Sequence, residues 1–405
     1  MNILVFNCGS SSLNYKVYYF DNTQIHLVNH GKAHRVGTKG NEPSFIEHHI
    51  KGSDERITTP IENHQQAAQH ILDHLIRANQ PFDIIGHRFV HGGDRFQQST
   101  ILTPQKLDAL KTCLPLAPIH NPNSLSVIET CQNVFPKKPQ YVTFDTSFHA
   151  SLPESAYTYL LPFSIIKKYG FRKYGFHGLS YQYVTLEIAK HLNQPPEKLD
   201  LIVCHLGTGG ASITAIQKGK SIDTSMGYSP LPGLVMSTRT GDLDPLLPPF
   251  LSSMFHLNPE QLTDIFNKKS GLLGIAGFSS DLRDILKKVE EDKDQRAVLA
   301  WEIYVHRVRK YIGCYAALLN GFGALVFTDD IGAQNWQLRQ SVCQNMTWCG
   351  IALDIEKNKA AASHQLNRLD APESSVKIFS MPTDEEKMIA LEGIKLFPPL
   401  GDRSC

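Results

Sequence analysis

Two stretches of the chain carry the residue types that bind phosphate. Near the start, Asn7-Cys8-Gly9-Ser10-Ser11-Ser12 follows the apolar run 3–6 and precedes the alternating run 13–18; far downstream, His205-Leu206-Gly207-Thr208-Gly209-Gly210 follows 201–204 and precedes 211–216. Each reads as a β-hairpin with a tight polar turn, and the two align with Asn7 over His205 and Gly9 over Gly207. Such a turn presents backbone N–H groups and hydroxyls to a phosphate oxygen, and its glycines let backbone approach an anion with no Cβ in the way. The candidate phosphate-binding residues are Asn7, Ser10, Ser12, His205, Gly207, Thr208, Gly209 and Gly210.

Phosphoryl transfer asks mainly for placed positive charge. Arg88, in Gly86-His87-Arg88-Phe89-Val90-His91-Gly92-Gly93, and Arg239, in Met236-Ser237-Thr238-Arg239-Thr240-Gly241, stand in glycine-punctuated segments. A guanidinium there can grip carboxylate or phosphate through two N–H groups at once. Pro118-Ile119-His120-Asn121-Pro122, Phe144-Asp145-Thr146-Ser147-Phe148-His149 and Tyr174-Gly175-Phe176-His177-Gly178 each set a titratable group beside turn or aromatic residues.

The elements that must position these groups alternate between strand and helix, which implies an α/β fold. Residues 63–78 predict a helix with Ala67, Ile71, Leu72, Leu75 and Ile76 on its buried face and Asn63-x-x-Gln66 as capping box. Residues 298–319 predict a long helix stopped by Asn320-Gly321, followed by a strand at 325–328. A strand near 376–379, a surface excursion over 357–375 and a helix opened by Thr383-x-x-Glu386 complete the chain. With 405 residues, 41% hydrophobic and 20% charged, the chain is large enough for two lobes. Its net charge of +1 gives no field that would draw it to nucleic acid or an anionic membrane. The eight cysteines form no C-x-x-C pair and read as reduced thiols. With no signal-like start and no long apolar run, these features predict a cytoplasmic protein.

In the order and wording of these motifs the sequence resembles the acetate and propionate kinase family, from Asn7 to about Ala390. The resemblance implies a two-lobed, duplicated actin/hexokinase-like (ASKHA) phosphotransferase fold with its active site in the interlobe cleft. Residues 1–150 with 384–405 would form the N-terminal lobe on the Mg and acyl side, and 151–383 the C-terminal lobe on the phosphate-donor side, with the interface of a homodimer. Asn7 and Glu385 would help hold Mg²⁺, with Mn²⁺ as its substitute. Arg88 and Arg239 would bind the carboxylate and the transferring phosphoryl group, Asp145 would orient acetate, His177 would stabilise the transition state and His120 would assist it. Val90, Ile119, Phe176 and Pro230 would line the pocket for the methyl group, a valine at 90 favouring acetate over propionate.

Three departures from the family's common pattern fall on the donor side. Asn14 stands where lysine is usual, Gly207-Thr208-Gly209-Gly210 replaces a Gly-Asn-Gly turn, and Thr328-Asp329-Asp330-Ile331-Gly332-Ala333-Gln334 replaces Thr-Ala-Gly-Ile-Gly-Glu-Asn. Asp329, Asp330 and Ile331 would then occlude the donor pocket, because a carboxylate about 4 Å from a phosphate oxygen repels it by roughly 4 kcal/mol at intermediate dielectric before screening. The combination resembles the diphosphate-type acetate kinase: acetyl phosphate plus phosphate giving acetate plus diphosphate, by direct in-line transfer. Asp281 and Arg283 match the segment that contacts the nucleoside in ATP-using members, and Lys16, on the strand face of Asn14, offers a replacement charge. They keep an ATP-dependent acetate or propionate kinase as the alternative, with a non-catalytic acetyl phosphate or phosphate sensor as the second.

Overall fold

The computed structural model describes residues 1–38, 42–50 and 52–398. Cys405, and the part of the expected N-terminal lobe from 399 onward, lie outside the described residues. The chain divides into two compact units, Met1–Ala150 with Asp384–Cys405, and Ser151–Thr383.

Among the described residues, unit 1 is built on eight strands: β1 (Asn2–Cys8), β2 (Ser12–Phe20), β3 (Ile25–His34), β4 (Phe45–Ile50), β5 (Ser53–Thr58), β6 (Ile84–Phe89), β7 (Thr100–Ile101) and β8 (Gln140–Phe144). They lie in the order β5-β4-β3-β2-β1-β6-β8-β7, with β1, β6 and β8 parallel and the hairpin strands antiparallel. Unit 2 has six: β9 (Leu201–Leu206), β10 (Ala211–Gln217), β11 (Lys220–Thr224), β12 (Ala324–Thr328), β13 (Asn367–Arg368) and β14 (Lys377–Ser380), in the order β11-β10-β9-β12-β14-β13. The run β3-β2-β1-β6-β8 and the run β11-β10-β9-β12-β14 share order and direction: a three-stranded antiparallel meander whose first strand is followed by two parallel neighbours. The hairpins agree to the residue, since Asn7 pairs with Asn14 and His205 with Ser212, and both turns close on one bond, Gly9 N–H to Ser12 O at 2.9 Å and Gly207 N–H to Gly210 O at 3.0 Å. The fold is a duplicated α/β architecture.

Each sheet is covered by helices whose ends the sequence marks. His64–Arg77 begins at Asn63, whose side chain accepts the Gln66 N–H, and buries Ala67, Ile71, Leu72 and Leu75 with Val127 and Cys131 of the helix Asn121–Val134 under β1–β3. Ile76 departs from expectation and is exposed, because it falls on the outer edge of the stripe. The Gln66 side chain also reaches past the cap, accepting from Glu62 N–H rather than completing the box on Asn63. Gln295–Leu318 packs on β9 and β10 and ends before Asn320 and Gly321, both with positive φ. The last helix, Glu385–Leu396, lies on β1 and β6 and is capped by Asp384, which accepts the Lys387 N–H; the cap is one residue later than Thr383. The polar stretch 357–375 is only partly a surface excursion, for Asn358, Leu369 and Asp370 are buried. The seven described cysteines are all free thiols.

Candidate functional site

In unit 1 the parallel strands β1, β6 and β8 bring their C-terminal ends together, and the candidate residues follow from that. Arg88, near the end of β6, donates Nε–H to Asp145 Oδ1 at 2.7 Å and an Nη2–H to Oδ2 at 2.5 Å, the residue after β8 receiving both arms of the fork. Its remaining nitrogen donates to Asn7 Oδ1 at 2.9 Å, from the end of β1, and lies 3.4 Å from Glu385. Asn7 in turn donates to Glu385 at 3.2 Å and Glu386 at 2.9 Å, while Asn14 and Lys16 reach Glu386 and Lys16 also reaches Asp384. Burial works against the charge of Arg88, yet Asp145 and Glu385 outweigh it and raise its pKa. Burial likewise opposes ionisation of Glu386, and Lys16 and Asn7 overcome it, holding the carboxyl below its usual range.

The rest of unit 1's candidates surround this network at different depths. Val90 is buried in the turn after β6, His120 precedes the helix Asn121–Val134, and Ile119 beside it is 58% exposed. Ser10 is exposed at the turn and Ser12 half-buried. His64 Nε2, under the turn, bonds the Gly9 carbonyl at 2.9 Å and fixes its approach.

Unit 2 gathers its groups around the second turn. His177 takes a left-handed backbone, φ +59°, before the helix Gly178–His191, an uncommon conformation for a non-glycine residue. Its Nδ1 bonds Ser212 Oγ at 2.8 Å and its ring stacks on His205 with centroids 4.1 Å apart. His205 is held on both nitrogens, by Ser180 Oγ at 2.9 Å and Asp329 at 3.1 Å. A Cβ on Gly210 would stand 3.7 Å from both the Arg239 guanidinium and the His177 ring, so both side chains lie beside this glycine of the turn. Arg239 donates to Pro230 O at 3.2 Å; no carboxylate among the described residues of its unit pairs with it, and burial alone lowers its pKa. Phe176 is buried just before His177.

Two acids from the segment after β12 lie against the same turn. Asp330 accepts the Thr208 N–H at 2.8 Å, bonds the Thr208 hydroxyl and accepts the Ile331 N–H at 2.9 Å. Asp329, at φ +67°, turns its carboxylate to His205 and to Gly207, where any Cβ would collide with it. Both carboxylates thus face the turn, because unsatisfied N–H and hydroxyl donors are there to meet them. Ile331, which follows them, lines a cavity of about 280 Å³ with Arg283, Leu286, Gln334, Asn335 and Gln337. Arg283 is held by Asp281 at 2.6 Å.

The acetokinase family model matches residues 2–391 of the chain. The chain belongs to that family. It is 43% identical over 404 residues to the acetate kinase of Desulfitobacterium hafniense, covering 98% of this chain and 99% of that one. Among solved structures, it is similar to the acetate kinase of Entamoeba histolytica (42% identity, TM-score 0.89, 98% of this chain and 100% of that one) and to a propionate kinase of Francisella tularensis (36% identity, TM-score 0.88, 96% and 98%). An acetokinase is a phosphotransferase with a carboxyl group as acceptor, which fits the cations and phosphate-type turns found in both units.

Several residues of these two networks carry no motif in the sequence. Glu386, read only as part of a helix cap, is the buried carboxylate on which Asn7, Asn14 and Lys16 converge. The signal was available in the two-residue spacing of Asn14 and Lys16, which puts two donors on one strand face. Ser180 and Ser212 orient the two histidines, and no local pattern marks them, since each acts across a fold contact.

Proposed function

We propose that this acetokinase transfers a phosphoryl group reversibly between acetate and a nucleotide, ATP or ADP, with Mg²⁺. The cavity lined by Arg283, Ile331 and Asn335 carries the reading, because it leaves room for a nucleoside on the segments that match the family's nucleoside contacts. In unit 1, Arg88 and Asp145 hold and orient the carboxylate, and His120 assists. In unit 2, Arg239 and His177 face the charge that develops on the phosphoryl group, where a fixed cation with no competing carboxylate acts most strongly. In unit 1, Val90 and Ile119 offer apolar surface for the methyl end.

Residues fit for a hard cation surround Asn7. Glu385 and Glu386 supply carboxylates and Asn14 Oδ1 is buried with no hydrogen-bond partner, and Mg²⁺ needs only one or two carboxylates beside substrate phosphates and water. Glu385 and Asn7 would hold it, and the ion would neutralise phosphate charge.

A second reading, diphosphate in place of the nucleotide, is favoured by Asp330: it occupies the Thr208 N–H and hydroxyl that a nucleotide phosphate would use. Loss of acetyl phosphate, followed as its hydroxamate with Mg²⁺ and either ADP or phosphate, separates the two. ATP formed with ADP supports the first reading, and diphosphate formed only with phosphate supports the second. Loss with neither leaves a non-catalytic sensor.

The apolar helix Leu247–Phe255, with Leu247, Phe250, Met254 and Phe255 exposed, supports a homodimer through unit 2, and a 45.3 kDa particle by light scattering would refute it. No described helix is long and apolar enough to cross a membrane. We place the protein in the cytoplasm, acting on small molecules without nucleic acid.

A further inference from the structure

The largest fully buried side chain in the described protein is a charged one, Arg339, in the helix Trp336–Cys343. It is 1% exposed, and no carboxylate pairs with it among the described residues. All its bonds go to neutral oxygens: Nε to Asn358 Oδ1 at 2.7 Å, Nη1 to the carbonyls of Gly332 at 2.9 Å and Ala333 at 2.7 Å, and Nη2 to the Asn358 carbonyl at 3.2 Å. Asn358, fully buried, donates back to the Trp336 carbonyl at 2.8 Å. Burying a guanidinium without a counterion is expensive, and a neutral apolar side chain would fill the space at less cost. What the arginine provides is several donors in a rigid plane, directed at the Gly332 and Ala333 carbonyls in the last turn of the helix Asp329–Gln334, where the Asn335 N–H meets only the Ile331 carbonyl.

That helix bears on the donor side at every step. Its first two residues bond the Thr208 turn and His205, while Ile331, Gln334 and Asn335 line the cavity. Arg339 itself lines neither. We propose that Arg339, seated on Asn358, is a positioning residue for the phosphate donor: it locks the helix Asp329–Gln334 so that its wall of the cavity and its carboxylates keep their places. This rests on the reading that the donor binds at this turn and cavity, and it holds for nucleotide and diphosphate alike. Arg339 and Asn358 belong to unit 2 together with the helix they brace, so their loss acts on the donor and not on the acyl group.

The test is a split of Michaelis constants in the hydroxamate assay, on the full chain, with acetyl phosphate and then the active donor, ADP or phosphate, varied in turn. Arg339→Met is expected to raise the donor KM about tenfold or more while the acetyl phosphate KM stays within about twofold. Arg339→Lys, which keeps the charge but not the fork, should recover part of the donor KM. Asn358→Ser removes one anchor without emptying the site, and should shift the donor KM in the same direction if Arg339→Met does not fold. A donor KM unchanged in folded variants, or both constants shifted equally, would overturn the assignment. Wild-type protein that fails to consume acetyl phosphate when given either ADP or phosphate would overturn the functional reading and the assignment with it, an outcome visible before any variant is made.

Discussion

The two polar turns share a backbone bond for bond, and they differ in what their own unit puts against them. In unit 1 the turn after β1 sends Asn7 into a network where Arg88 is paired with Asp145 and Glu385, and Glu386 with Lys16. In unit 2 the equivalent turn meets two acids, Asp329 and Asp330, while Arg239 stands beside Gly210 with no acid of its own. One half therefore holds its arginine compensated by acids, and the other leaves its arginine without a carboxylate partner among the described residues. Duplicated architecture sets where the groups stand; the side chains around each turn decide whether a site binds a ligand or is already satisfied.

Removing the two arginines should break this contrast most visibly. Arg239→Ala is expected to cut turnover by about 10²- to 10³-fold with little change in melting temperature, since it discards a half-buried charge whose bonds go to the Pro230 carbonyl and Met236 sulfur rather than to a carboxylate. Arg88→Ala should lose activity and stability together, because it strands the 1% exposed Asp145, at a cost of about 3–5 kcal/mol by denaturant unfolding. Equal stability losses would mean that Arg239 has a structural partner after all.

Acid should act on unit 1 first. Burial lowers His87 from 6.5 to about 4 and His48 from 6.5 to about 3, and the folded state keeps both neutral. With folded values depressed below 6.5, their contribution is fully present above pH 6.5 and is lost as pH falls through 4 and then 3, because the unfolded chain takes up the protons first. Glu386, also depressed, adds a loss below its ordinary 4.5. Hydrogen exchange between pH 7 and pH 4 should show β1–β6 opening before β9–β12. The reverse order would contradict the burial that sets these values.

Neutralising one acid should sharpen the donor side. Asp330→Asn retains an acceptor for the Thr208 N–H but removes a charge, so the KM for the phosphate donor should fall by several-fold at nearly constant stability. An unchanged KM would place Asp330 outside donor binding. The smallest effect belongs to the helix ends: Asn63→Ala, which removes the cap of His64–Arg77 under the first turn, should cost about 1 kcal/mol in unfolding and leave turnover intact.

Much of this was legible in the chain. The hairpins, the small-residue turns, Asn63 as a cap, the helix stop at Asn320-Gly321 and the α/β alternation are local, set by side-chain period, backbone freedom and nearby hydrogen bonds, and the ordered motifs carried the family. Ile76 and the capping at Asp384 show the limit of such rules, which fix an element but leave its edges to neighbours. The partner choices were not local. Asp329 and Asp330 look from sequence like residues that fill a pocket, and only the folded loop shows which donors they meet: His205 for one, the Thr208 N–H and hydroxyl for the other. Lys16 reads as a replacement charge for phosphate, and the fold commits it to Asp384 and Glu386, more than 360 residues away. Arg339 carries no sequence signal at all. Residue types and spacing determined which groups are available and which elements hold them; tertiary structure decided which charges are already neutralised, because Coulomb attraction and burial depend on distances that the chain order does not contain.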